Sequence, residues 1–157
     1  MSSAPSGTDN LKTRLLERAK GFGPDHALYA LVDGAHESFI HRRILLSGGT
    51  YRCLYRGQLS NAHQEVAPYL VLLHAEKNRL DWIIEEGIPN HWSSFFASAC
   101  DIDDLQHHFR KFLTVRREDG QKLYFRFYDP RVIPLIAETD ILEKLCEPGI
   151  SFLDPNL

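Results

Sequence analysis

The chain has 157 residues, of which 43% are hydrophobic and 25% are charged, and its formal net charge is -3. This length is near the commonest size of a single domain, whose core can bury roughly 70% of the surface that the unfolded chain exposes. The slightly negative charge excludes the broad basic footprint of a nucleic-acid-binding protein. We therefore expect one globular domain that binds no nucleic acid.

The cysteines and the first residues indicate a protein of a reducing compartment. Cys53, Cys100 and Cys146 are odd in number and lie far apart, which argues against a disulfide framework. Residues 1–10 lack the basic start and apolar core of a signal peptide, and no apolar run approaches the roughly 20 residues of a membrane helix. We expect a soluble cytoplasmic protein without membrane contact, with residues 1–10 disordered and residues 11–157 forming one domain.

The first two thirds of the chain alternate apolar strands with short helices. A narrow stripe at Leu11, Leu15 and Leu16 predicts a first helix. Strands are predicted at 27–32, 51–55, 68–73 and 95–99, and helices at 35–46 and around 80–87. The runs ALYALV and PYLVLL are apolar throughout, which is typical of strands buried on both faces of a sheet. This order predicts parallel βα units.

The last third contains the best specified helix and a hairpin. Apolar residues at positions 102, 105, 109, 112 and 113 form one helical stripe, preceded by the capping residue Asp101. Asp119 and Gly120 predict a hairpin between 114–117 and 122–128. Helices are predicted at 130–137 and 141–146. The fold class is therefore α/β, with a single mixed sheet of about six strands, helices packed on its faces and a late antiparallel hairpin.

Asp33 and Arg126 are the charged residues with the strongest claim to a special role. Asp33 follows the first strand, where open α/β sheets place ligand-binding groups, although a turn or helix cap is the more ordinary use of such an aspartate. Arg126 lies between two phenylalanines and is expected to be partly buried and paired with Asp33, Asp129 or Glu138. The pair would pin the last helix to the sheet, and an anion site is the alternative.

The sequence predicts no cofactor and no metal site. Its eight histidines show neither H-x-H nor H-E-x-x-H spacing, and its glycines form neither a dinucleotide fingerprint nor a phosphate loop. No serine or cysteine has a local nucleophile signature, so we expect no catalytic residues. Four aromatic residues are either core residues or anchors for a protein partner, namely Tyr51, Tyr55, Trp82 and Trp92.

Five motifs follow one another along residues 28–153, namely YALVDGA at 29–35, APYLVLL at 67–73, Trp82, HFR at 108–110 and FRFYDPR at 125–131. In this order and spacing they resemble the effector adaptor (chaperone) family of bacterial type VI secretion, the DUF4123 domain family. The motif residues that it marks are Asp33, His108, Arg110, Arg126, Asp129, Pro130 and Arg131.

The resemblance implies an adaptor rather than an enzyme. Proteins similar to this one bind a toxin effector in the cytoplasm, keep it soluble and help to place it on the spike protein VgrG. Many relatives continue into a C-terminal lobe, so the chain is expected to correspond to the N-terminal lobe. The alternatives are a small hydrolase or transferase that uses Asp33, and a purely structural or regulatory interaction domain.

Overall fold

The computed structural model describes the backbone of residues 7–157 and the side chains from Asn10 onward. The helices are α1 (Gly7–Lys20), α2 (Ser38–Leu46), α3 (Asn61–Val66), α4 (Trp82–Gly87), α5 (Ile102–Arg110) and α6 (Asp140–Leu145), with a 3-10 helix at Ile133–Ile136. The strands are β1 (Ala27–Asp33), β2 (Tyr51–Cys53), β3 (Pro68–Leu73), β4 (Ser93–Ser98), β5 (Thr114–Arg116), β6 (Lys122–Tyr124) and β7 (Ile150–Leu153). Residues 1–6, part of the segment predicted to be disordered, lie outside the described residues, whereas Gly7 to Asn10 begin α1.

Five strands form the main sheet in the order β2-β3-β1-β4-β7, and every neighbouring pair is antiparallel. Helices pack on both faces of this sheet, which confirms the predicted α/β class. The predicted parallel βα units and single mixed sheet are wrong, because all neighbouring strands are antiparallel and the hairpin forms a second sheet. Continuous apolar runs such as PYLVLL indicate burial on both faces of a sheet. Central antiparallel strands have the same property when helices cover both faces.

Each strand divides its side chains between two hydrophobic cores because successive residues point to opposite faces. In β1, Leu28, Ala30 and Val32 belong to the first core, whereas Tyr29 and Leu31 belong to the second. The first core also receives residues of α1, α2 and α4, and the second receives α5, α6 and the segment after β6. Asp33 follows Leu31 by two residues in the same strand, so its side chain lies on the same face of the sheet, the face that α5 covers.

Stacked aromatic rings build the core on the α5 face. The ring centroid of Phe109 lies 5.3 Å from that of Phe96 on β4 and 5.5 Å from that of Phe127. All three side chains are fully buried. Asp101 begins α5 as predicted, since its carboxylate accepts the backbone N–H of Asp103 at 2.9 Å. The cap and the apolar stripe together fix α5 on the sheet.

The late hairpin is confirmed, but its strands are shorter than predicted and it forms a separate two-stranded sheet. Gly120 adopts φ 85° in its turn, a conformation that glycine adopts without strain. The second arm, predicted over 122–128, ends as a strand at Tyr124, and beyond it Phe127 and Tyr128 are both buried. The predicted helix over 130–137 is also wrong, since only Ile133–Ile136 form a single 3-10 turn after the turn at Asp129.

Two elements were not predicted. Helix α3 lies between the second and third predicted strands, and its cap is Ser60, whose hydroxyl accepts the His63 N–H at 3.2 Å. Strand β7 adds the outer strand beside β4. Within the part of the chain that is described, no helix is long and apolar enough to cross a membrane.

Gly34 allows the end of β1 to approach the start of β3 closely. A Cβ atom at this position would lie 2.3 Å from the carbonyl oxygen of Ala67, which instead accepts the Gly34 N–H at 3.1 Å. Any larger residue would have to push the two backbones apart. The glycine of the DGA motif therefore fixes the loop that begins at Asp33.

We expect Phe109→Ala to lower the free energy of unfolding by about 3–5 kcal/mol, because it leaves a cavity between two buried rings. The matched control is Leu135→Ala, whose side chain is 79% exposed and should cost less than about 0.5 kcal/mol. Urea denaturation followed by circular dichroism measures both. Similar losses in the two variants would contradict the central place of Phe109.

Candidate partner-binding site

A buried carboxylate lies at the end of β1 and pairs with the arginine of the FRFYDPR motif. Asp33 Oδ1 accepts the N–H of Ala35 at 3.0 Å, and Oδ2 accepts a hydrogen bond from Arg126 Nη2. The Asp33 side chain is 5% exposed and the Arg126 side chain is 53% exposed. Of the three predicted partners Arg126 takes Asp33, but its predicted burial is wrong, because the aspartate is the buried member.

Asp129 pairs with a different arginine of the same motif. Arg131 donates from Nε to Oδ1 at 3.0 Å and from Nη2 to Oδ2 at 2.8 Å, and its backbone N–H also reaches Oδ1. Burial alone would raise the pKa of Asp129, but these bonds outweigh it and lower the pKa. Asp129 and Arg131 therefore stabilise the turn that contains Pro130.

Arg110 of the HFR motif binds the loop after β2 through three carbonyl groups. Its Nε donates to Leu54 O at 3.2 Å, and its Nη2 donates to Cys53 O and Tyr55 O at 3.1 Å each. Gln106, one turn earlier in α5, donates to the same Cys53 oxygen at 2.8 Å. Side chains of α5 thus cover the outer edge of β2 and set the position of Tyr55.

The other two residues of the HFR motif attach α5 to the rest of the second core. His108 Nε2 donates to Leu145 O of α6 at 2.8 Å, and its ring packs on Phe109 and Phe112. The bond to a carbonyl oxygen assigns the proton to Nε2. The motif therefore holds β2, α6 and the sheet together around one helix.

Tyrosines surround the Asp33–Arg126 pair. The Arg126 guanidinium lies 5.9 Å from the ring centre of Tyr128, whose carbonyl accepts a bond from the Ser94 hydroxyl at 3.0 Å. Burial, followed by the negative charge of Asp33 and the phenol of Tyr55, raises the pKa of Tyr128 to about 12. Burial also raises the pKa of Tyr55, with Tyr124 and Asp33 as further causes. These phenols are therefore neutral hydrogen-bonding groups at physiological pH.

An open groove of about 520 Å³, here called the tyrosine groove, lies beside this cluster at the β2 end of the sheet. Its principal walls are Leu45, Tyr51, Tyr55, Leu59, Tyr69 and Arg110. It thus brings together two of the four predicted aromatic anchors, Tyr51 and Tyr55, with the arginine that fixes the loop between its walls.

Tyr69 holds one wall of the tyrosine groove in place. Its hydroxyl donates to Gln64 O of α3 at 2.6 Å and accepts from His41 Nδ1 of α2 at 2.7 Å, because a hydroxyl has only one proton to give. Burial raises its pKa. Burial also raises the pKa of the neighbouring Cys53 thiol, which makes that cysteine a poor nucleophile.

The two tryptophans do not lie in this groove. Trp92 is 1% exposed and belongs to the first core, so of its two predicted roles it takes that of a core residue. Trp82 is half-buried, its ring lies 5.7 Å from that of Trp92, and Arg43 stacks on its face with Cζ 4.0 Å from the ring centre. A tryptophan near the start of a helix or strand is compatible with both a buried and an exposed position, so the sequence alone did not distinguish the two.

Sequence reasoning missed Tyr69, His41 and Gln64 as parts of the site. Tyr69 lies inside an apolar run, and its only distinguishing signal is a hydroxyl in a buried strand, which needs a hydrogen-bond partner. Among the described residues, no group of three or more His, Cys, Asp or Glu side chains is placed to hold a metal ion. The three cysteines are free thiols.

A family model described as a domain of unknown function (DUF4123) matches residues 28–145, about three quarters of the chain. The chain belongs to the DUF4123 family. Its matched segment contains the ion pair of Asp33, the HFR and FRFYDPR motifs and the whole tyrosine groove. No curated protein and no solved structure gives a significant match.

We expect Arg126→Ala to destabilise the fold by about 1–3 kcal/mol, because it leaves the buried carboxylate of Asp33 without its charged partner. Arg42→Ala removes an exposed arginine of α2 and should cost less than about 0.5 kcal/mol. Urea denaturation midpoints measure both. Equal midpoints would mean that the Arg126 guanidinium contributes nothing to stability. If Arg126→Ala does lower the midpoint, the double variant Asp33→Asn/Arg126→Ala shows whether the loss comes from the unpaired charge of Asp33.

The raised pKa of Tyr128 predicts a loss of stability in alkali. Unfolded tyrosine ionises near pH 10 and Tyr128 in the folded protein near 12, so the unfolded state binds fewer protons in this interval. The contribution is complete below pH 10 and falls by about 1.4 kcal/mol per pH unit between the two values. Tyr128→Phe should therefore show a shallower decline of the urea midpoint above pH 10 than the parent protein. Parallel declines would refute the shift.

Proposed function

We propose that this chain is an adaptor that binds a type VI secretion effector toxin in the cytoplasm and helps to load it onto the spike protein VgrG. Its membership of the DUF4123 family and the motifs that resemble those adaptors support the proposal. The observation that carries it is that the charged motif residues make structural contacts. Arg110 and Arg126 hold a scaffold around an open groove, and they do not converge on a common reacting centre.

The chemistry of the tyrosine groove suits a protein partner. Tyrosine and arginine are enriched at the centres of protein interfaces, where they combine apolar contact with a hydrogen bond. The groove adds Leu45, which is 53% exposed, and Leu59 as apolar contacts. Its walls are already fixed by Tyr69 and Arg110, so little side-chain freedom is lost when a partner binds.

The enzymatic alternative depends on Asp33. Both of its carboxylate oxygens are engaged, one with the Ala35 N–H and one with Arg126, and its side chain is buried. This arrangement favours the structural use of the aspartate, and we propose that the protein is not an enzyme and needs no cofactor. Turnover of generic phosphate or ester substrates that disappears in Asp33→Ala would overturn this part of the proposal.

The proposed function is tested by co-expressing the chain with the effector encoded beside it, followed by size-exclusion chromatography. The effector should become more soluble and should co-elute with the chain. Leu45→Glu places a charge in the tyrosine groove and should weaken the complex by about ten-fold or more. Leu135→Glu is the matched control, because this leucine is exposed on the 3-10 helix and does not line the groove.

Each outcome decides a separate part of the proposal. An effector that is neither solubilised nor bound by the parent chain contradicts the adaptor function. A complex that Leu45→Glu and Leu135→Glu affect equally supports the adaptor but excludes the tyrosine groove as its binding site. Thermal melts of both variants confirm that each is folded before binding is compared.

A further inference from the structure

A second concave surface adjoins the tyrosine groove and is strongly basic. This basic pocket has a volume of about 360 Å³ and is lined by Arg56, Arg110, Lys111, Leu113, Thr114 and Lys122. Four of these six residues are cations and none is a carboxylate. Such a concentration is unexpected in a chain whose net charge is -3.

The cations of the basic pocket are not neutralised by ion pairs within the described part of the chain. The ion pairs there involve other cations, namely Lys12, Arg43, Arg52, Arg117, Arg126 and Arg131. Cations gathered at one concave surface without a carboxylate give that surface a positive potential, which attracts anions. This potential is the physical reason to expect an anionic ligand.

Arg110 gives the basic pocket a fixed centre. Its bonds to the carbonyl oxygens of Cys53, Leu54 and Tyr55 use Nε and Nη2, and Nη1 makes none of them. A guanidinium that is already oriented loses little freedom when it binds a carboxylate. Arg110 lines both the basic pocket and the tyrosine groove, so a single bound segment can occupy the two together.

The residues around Arg110 come from three different parts of the fold. Arg56 belongs to the loop after β2, Lys111 follows the last residue of α5, and Lys122 begins β6. The Thr114 hydroxyl on β5 adds a neutral hydrogen-bond donor to the lining. Charges that converge from separate elements point to a site rather than to one solvated helix face.

We propose that the basic pocket binds carboxylate side chains from an acidic segment of the protein that occupies the tyrosine groove. A small concave set of four cations suits a few carboxylates, whereas the phosphate backbone of a nucleic acid favours a long basic face on a basic protein, and the net charge of this chain is -3. The identity of the segment's owner rests on the proposed function, but the binding of an acidic peptide does not.

The test uses a fluorescein-labelled peptide of alternating glutamate and serine, and fluorescence anisotropy as the readout. The same peptide with glutamine in place of glutamate shows whether charge is required. The charge-reversal variant Lys111→Glu/Lys122→Glu should bind the acidic peptide at least about ten-fold more weakly. The control, Lys20→Glu/Arg42→Glu, changes the net charge equally at exposed positions outside the pocket and should stay within about two-fold.

The salt dependence and single substitutions test the same proposal independently of the double variant. Binding by the parent protein should weaken between about 50 mM and about 300 mM salt, because the contacts are ionic. Arg56→Glu and Lys122→Glu, each tested alone, keep the test decisive should the double variant unfold. Each of them should weaken peptide binding measurably.

Any one of four results would overturn the proposal. One is the absence of acidic-peptide binding by the parent protein at low salt, and another is an equal loss in the pocket and control variants. The third is tighter binding of a labelled single-stranded oligonucleotide than of the peptide, which would assign the pocket to nucleic acid. If the effector complex forms but is unaffected by pocket reversal, the pocket proposal fails while the adaptor function stands.

Discussion

The three hydrogen bonds from Arg110 to the loop after β2 are the constraint on which the rest of the site depends. Strand β2 is one of the two outer strands of the main sheet, and the carbonyl of Cys53 on its outer edge would otherwise lack this partner. Because one guanidinium binds three consecutive carbonyls, the loop cannot shift without breaking all three bonds. Tyr55 and Arg56 are thereby held at the junction of the tyrosine groove and the basic pocket.

This constraint links the two family motifs through space. Phe109 of the HFR motif stacks on Phe127 of FRFYDPR, and Arg126 of that motif reaches back to Asp33 at the end of β1. Removing any one contact would loosen the same corner of the sheet, where β1, α5 and the segment after β6 meet. The motif residues therefore act as one structural unit, and the surface available to a partner is the surface that this unit leaves open.

The sequence was sufficient for elements whose signals are local. Strands β1 and β3 and helix α5 follow directly from apolar runs, caps and periodicity, and the turn at Gly120 follows from its neighbours. The direction of the strands could not be predicted, since burial on both faces is common to parallel and to covered antiparallel sheets. Strand β7 has only four residues and depends on pairing with β4. No local sequence pattern predicts this pairing.

The site was less predictable than the fold because its residues are neighbours only in space. Leu45, Tyr69 and Arg110 lie on a helix, a strand and a second helix, and each has an ordinary local explanation. The expected burial of Arg126 was wrong for a related reason: flanking phenylalanines report the burial of their own side chains, whereas the position of the guanidinium is set by Asp33. A buried carboxylate with its arginine exposed to solvent leaves the cationic end of the pair at the surface. Because the carboxylate of Asp33 lies against this guanidinium, the pair is neutral as a whole and serves to fix the segment after β6, whereas the cations of the basic pocket lie outside the ion pairs of the described residues.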